Sequence, residues 1–151
     1  MNSQKKIVCY NALLKLIENK IETIKNEISI SHEAMGDFCK SSVGDKYETG
    51  RSMANIELSK KQKQLDVNLH HKTSLLTIEL SKKHTSVDIG SYVVTSKGDF
   101  FISIALGNVT TDFGSFYAIS LASPFGAKLK GRALGDSITI NGNCFVIENI
   151  L

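Results

Sequence analysis

The chain has 151 residues, of which 42% are hydrophobic and 22% charged, and its net charge is +3. That composition is globular, not disordered, and the length suits one ordinary domain or two small units. No apolar run approaches the roughly 20 residues that cross a bilayer. No apolar signal region follows Lys5 and Lys6 either, so a cytoplasmic protein without a membrane span is expected.

Cys9, Cys39 and Cys144 are odd in number and far apart, with no CxxC pair, which argues against a disulfide scaffold and a structural zinc site. Of the histidines, His70 and His71 are adjacent and would point about 100° apart on a helix. His32 and Cys39 are too far apart for the usual i, i+4 ligand pair. No metal site is read from these residues.

Charge and turn formers divide the chain near residue 84. Residues 1–83 carry 14 Lys and Arg against 10 Asp and Glu, no proline and only Gly36, Gly44 and Gly50. Residues 84–151 carry 4 against 5, the one proline, Pro124, and the other eight glycines. The basic excess belongs to the first part and is interleaved with acids, unlike the one-sided stripe of a nucleic-acid binder.

Within 1–83, Ile17, Ile21, Ile24, Ile28, Met35 and Phe38 follow helical steps of four and three, with Ser31 in the polar slot and Leu13 and Leu14 extending the line. A second stripe runs through Leu58, Leu65, Leu69, Leu76 and Leu80, with Gln62 and Lys72 at seam positions. Ser41-Ser42-Val43-Gly44 separates the two stripes with poor helix formers. Two long stripes and a short connection predict an antiparallel helical hairpin, a coiled coil with arms of about 50 Å. The pattern alone reads as a dimerisation arm. A thin rod with an exposed tip also suits delivery of that tip to a place a globule cannot enter.

At the tip, near 41–50, Asp45 and Glu48 stand three apart and share a face if the helix has begun. Asp-x-x-Glu at a helix start is also a capping box, and acids there suit the helix dipole.

The second part reads as strands: Ser91–Ser96, Phe100–Leu106 after the turn Lys97-Gly98-Asp99, Phe116–Leu121, Ser137–Ile140 and Cys144–Ile150. Ser123 and Pro124 open a short helix over Phe125–Lys130, and Gly131 stops it. The fold class is therefore α+β: a helical hairpin over 1–83, then a small antiparallel sheet with one helix over 84–151.

The stretch Ile119-Ser120-Leu121-Ala122-Ser123-Pro124-Phe125-Gly126-Ala127-Lys128-Leu129, continuing through Gly131-Arg132-Ala133-Leu134-Gly135-Asp136, resembles the C-terminal signature of the Gre family of bacterial transcript-cleavage factors. Ile89–Val93 resembles that family's opening strand and Phe145–Ile150 its closing one. At the tip the family carries Gly-Asp-x-x-Glu-Asn-Ala-Glu-Tyr, and this chain has Gly44-Asp45-Lys46-Tyr47-Glu48-Thr49-Gly50-Arg51-Ser52. Both acids match, whereas Lys46, Thr49, Gly50, Arg51 and Ser52 depart from the pattern.

The resemblance implies a transcription elongation factor with an FKBP-like C-terminal domain. It implies a hairpin inserted in the secondary channel of RNA polymerase, where Asp45 and Glu48 hold a Mg²⁺ shared with the polymerase active site. Cleavage of backtracked RNA at its 3′ end would then be the polymerase's own hydrolysis, stimulated by a factor that is not itself a nuclease. A Gre-like ligand that occupies the channel without stimulating cleavage is the alternative. Outer faces rich in Lys15, Lys20, Glu22, Lys25, Lys60, Lys61 and Lys63 suit a single solvated hairpin, and a monomer is expected.

Overall fold

The computed structural model describes residues 2–40 and 44–151, without the side chains of 35–40, 44–49 and 51. Its elements are helices α1 (Asn2–Lys40) and α2 (Gly44–Leu76), strands β1 (Tyr92–Thr95), β2 (Gly98–Ile102), β3 (Gly107–Thr111) and β4 (Gly114–Ile119), helix α3 (Pro124–Leu129), and strands β5 (Ser137–Ile140) and β6 (Asn143–Ile150). The class is α+β. Contacts divide the chain into two units, residues 16–72 and residues 1–15 with 73–151.

In residues 16–72, α1 and α2 run antiparallel. The Lys72 ammonium lies 3.4 Å from the Glu18 carboxylate, and Lys61 Nζ donates to Ser31 Oγ at 3.4 Å, so positions rise along one helix as they fall along the other. Ile17, Ile21 and Ile24 are buried, as the steps of four and three require, and Ile28 is half-buried.

The inward line of α2 differs from its line of leucines. Ala54, Leu58, Lys61, Leu65, Asn68 and Lys72 form a sheltered line in steps of four and three, and Gly50 and His71 are half-buried as well. Leu69 and Gln62 lie outside it and are exposed. Leucine identity is a weaker guide than period. Long polar side chains occupy a seam by burying their stems and reaching outward with their heads, as Lys72 does toward Glu18. The side chains of Met35 and Phe38, and the connection at 41–43, lie outside what the structure describes.

In residues 1–15 with 73–151, the six strands form one sheet in the order β3-β4-β2-β1-β6-β5. All neighbouring pairs are antiparallel except β2 and β4, which are parallel with Phe100 opposite Tyr117. The mixed pairing follows from a strand absent from the sequence reading. β3 crosses to the outer edge and returns through β4, which slots between β3 and β2. Its residues, Gly-Asn-Val-Thr-Thr, bury only Val109 and so carry little apolar signal. β2 ends at Ile102 and does not run to Leu106. The chain turns there, with the Ser103 N–H donating to Ile119 O at 2.8 Å.

The strands alternate between two cores. On one face Val93, Phe100, Ile102, Ile138 and Ile147 meet Val87 and α3 through Leu129. On the other, Tyr92, Phe101 and Phe116 form a ring cluster with centroids 6.0–6.4 Å apart. Cys9, Leu13 and Leu75, also buried, come from the parts of α1 and α2 that belong to this unit, and Tyr10 OH donates to Leu75 O at 3.0 Å. Leu76, next along the chain, is 60% exposed.

Candidate functional site

Asp45 and Glu48 both lie in the opening turns of α2, where the backbone is already helical from Gly44. Helical spacing of three puts the two residues on one face, at the connecting end of the helix pair. Their side chains lie outside the described residues. Among the described residues no group of three or more His, Cys, Asp or Glu side chains could hold a metal ion. As a donor set, two carboxylates fit Mg²⁺ as part of a shell completed by waters and phosphate oxygens, without a full protein cage.

The segment after β4 is a knot of local hydrogen bonds. Ser123 caps α3: its Oγ accepts from the Gly126 N–H at 3.0 Å and its hydroxyl donates to Ser120 O at 2.7 Å, with Pro124 next in the helix. Gly126 passes so close to the chain that an added Cβ would stand 2.0 Å from Ser120 O. Past the helix, Gly131 takes a φ of +77°. Its N–H donates to Val87 O at 2.9 Å, and Val87 N–H donates to Arg132 O at 2.8 Å. Asp136 Oδ2 accepts from the Ala133 N–H at 2.8 Å, and Ile147 N–H donates to Asp136 O at 2.8 Å. The residues that carry the family resemblance here therefore build the turn, the helix and its anchorage to the sheet.

Near the second core, Asp99 Oδ2 meets the Lys5 ammonium at 2.7 Å and accepts from Tyr92 OH at 2.8 Å, while Lys5 stands 5.2 Å over the Tyr92 ring. Burial first, then the hydrogen bond and charge of Asp99, push the Tyr92 phenol far above its ordinary value. Burial also raises the Cys9 thiol, against the opposing hydrogen bond of Tyr92 and the charge of Lys5. A protonated, buried thiol is a packing group and not a nucleophile. Lys5 and Asp99 are 94 positions apart, and no local pattern in the sequence pairs them.

A pocket of about 480 Å³ opens beside α3. Phe100 stacks on Phe125 at 4.4 Å and on Tyr117 at 5.6 Å, and Phe145 meets Phe125 edge-on at 5.1 Å. Lys97 lies 5.8 Å over the Phe145 ring. The sequence marked the helix that carries Phe125 but not this pocket, because Tyr117 reaches Phe100 only through the parallel β2–β4 pairing.

No family model matches the chain, and no curated protein matches it. Among solved structures, one described as "Structure of the transcription factor Gfh1" aligns over 92% of this chain and 93% of its own, with 17% identity and a TM-score of 0.40. A likeness of that size decides neither fold nor function.

Proposed function

We propose that this chain is a Gre-like transcription elongation factor that binds RNA polymerase, enters its secondary channel with the helix pair, and stimulates cleavage of backtracked RNA. The observation that carries the reading is the position of Gly44-Asp45-Lys46-Tyr47-Glu48: two acids on one helical face, at the connecting end of an antiparallel helix pair.

Asp45 and Glu48 would share Mg²⁺ with the polymerase site and the nascent RNA 3′ end. When bound, the ion supplies charge stabilisation to the attacking and leaving oxygens of the phosphodiester. The two carboxylates hold and orient, and the hydrolytic activity remains the polymerase's. The FKBP-like sheet unit docks on the polymerase. The reading carries with it a bacterial, cytoplasmic protein acting as a monomer.

A second reading has an observation of its own. Lys46, Thr49, Gly50, Arg51 and Ser52 replace the neighbours that accompany the two acids in the resembling pattern. Groups around metal ligands orient them, and their loss commonly lowers activity 10–100-fold. A channel ligand that modulates or inhibits polymerase without cleavage fits those departures.

The test is RNA cleavage in stalled, backtracked polymerase complexes with and without the protein, alongside Asp45→Asn. Asparagine caps a helix about as well as aspartate but lacks the charge that holds Mg²⁺. Stimulated cleavage that Asp45→Asn abolishes, with polymerase binding kept, supports the first reading. Equal cleavage by Asp45→Asn refutes the metal role. Binding without any stimulation moves the assignment to the second reading, and absence of polymerase binding refutes both.

A further inference from the structure

Four aromatic rings surround the pocket of about 480 Å³ beside α3. That volume falls within the usual range of small-molecule sites. Phe100 is 6% exposed, Phe125 and Phe145 are half-buried, and Tyr117 is 45% exposed. The rings therefore leave a concave apolar surface in contact with water, and covering such a surface is favourable.

The rings also have a common orientation. Tyr117 and Phe125 lie within 24° and 26° of the Phe100 plane, and Phe145 stands across Phe125 at 86°. A flat ring can lie along that row or meet it edge-on, and both arrangements gain more than the area they bury. A saturated body of the same size gains the area alone.

Lys97 is the only charged side chain on the lining among the described residues. Its ammonium stands over the Phe145 ring and donates to Asn143 Oδ1 at 3.1 Å. Two of its three donors remain, and no described carboxylate pairs with it. The cation thus sits at one end of an apolar surface that carries no acid. Beside rings that exclude water, its attraction for an anion is less screened than in bulk solvent.

We propose that this pocket binds a small planar aromatic anion, its ring against Phe100, Tyr117, Phe125 and Phe145 and its carboxylate or phosphate head against Lys97 and Asn143. The site is independent of any action on polymerase and is tested without it.

The experiment titrates the full chain with naphthoate, naphthyl phosphate, neutral naphthylmethanol and the saturated analogue decahydronaphthoate, followed by calorimetry and by amide shifts in nuclear magnetic resonance. At least one aromatic anion is expected to bind about threefold or more tightly than naphthylmethanol, the scale of one exposed charge pair, with shifts at Lys97, Tyr117 and Phe145. The tighter of the two aromatic anions identifies the head as carboxylate or phosphate. Naphthoate is expected to bind more tightly than decahydronaphthoate. Lys97→Met keeps the apolar stem at an exposed position and is expected to bring the aromatic anions down to the affinity of naphthylmethanol. Tyr117→Thr keeps a strand former, removes one ring and is expected to weaken every aromatic ligand. Should Tyr117→Thr disturb folding, Lys97→Met and the ligand comparison still decide. The proposal is overturned if neither aromatic anion binds, if naphthylmethanol or decahydronaphthoate binds as tightly as they do, if Lys97→Met binds them unchanged, or if the shifts fall away from this pocket.

Discussion

Gly126→Ala is the sharpest test of the packing of α3, because two physical effects predict opposite signs. Alanine is a better helix former than glycine by about 1 kcal/mol, so propensity alone predicts a more stable protein. The structure predicts the reverse. The new Cβ would stand 2.0 Å from Ser120 O, 2.9 Å from Ser120 C and 3.0 Å from Leu121 Cα, all of them backbone atoms. Relief means moving α3 away by more than an ångström. That motion strains the Ser123 cap, whose acceptor contact is to the Gly126 N–H itself, and a lost cap costs about 0.5–2 kcal/mol. It also pulls Phe125 off Phe100, a stack worth about 0.5–1.5 kcal/mol, and overpacking adds about 1–3 kcal/mol. After the propensity gain, a net loss of about 1–5.5 kcal/mol remains. At roughly 2–4 °C per kcal/mol for a chain of this length, the melting midpoint should fall by about 2–22 °C. Thermal unfolding followed by circular dichroism in the far and near ultraviolet reads it. A midpoint at or above that of the unsubstituted protein would refute the close approach of α3 to Ser120.

Leu75→Ala should destabilise by about 2–5 kcal/mol in urea unfolding while Leu76→Ala stays within about 0.5 kcal/mol, since one side chain is 0% and the other 60% exposed; similar costs would put the inward face of α2 elsewhere. Asp99→Ala leaves the Tyr92 hydroxyl and the Lys5 ammonium without their shared acceptor and should cost about 1–3 kcal/mol in the same assay, whereas Asp99→Asn, which still accepts from Tyr92, should cost less. His71 and His84 are both held below the ordinary imidazole value, by burial first and then by neighbouring positive charges, with Asp88 opposing at His84. The unfolded chain therefore takes up these protons first, so their contribution is complete above the unfolded value of about 6.5 and is lost as pH falls through it toward the folded values. Midpoints measured from pH 7.5 to 5.5 should drop more steeply for the natural chain than for His71→Gln/His84→Gln, and parallel curves would contradict the assignment.

Local chemistry was legible in the sequence wherever the cause lies within a few residues. Ile17, Ile21 and Ile24 announced the buried line of α1 because helical period alone dictates which residues share a face. Ser123, Pro124 and Gly131 marked both ends of α3 because a cap, a fixed φ and a positive φ are properties of single residues. What needed the tertiary structure depends on partners far apart in sequence. Lys61, Asn68 and Lys72 face inward on α2, where leucines at 69 and 76 drew the eye, because the period is set by the facing helix and not by residue type. β3 stayed hidden because an edge strand with one buried residue needs no apolar alternation. Once β3 took the edge, β4 was forced beside β2 in parallel, and that pairing brought Tyr117 to Phe100 and opened the aromatic pocket. Lys5 met Asp99, and Lys6 met Lys82 and Leu151, only because the start of α1 packs in one unit with the sheet and the chain end. Packing of that kind depends on complementary shape and charge between distant segments, which no window of sequence contains.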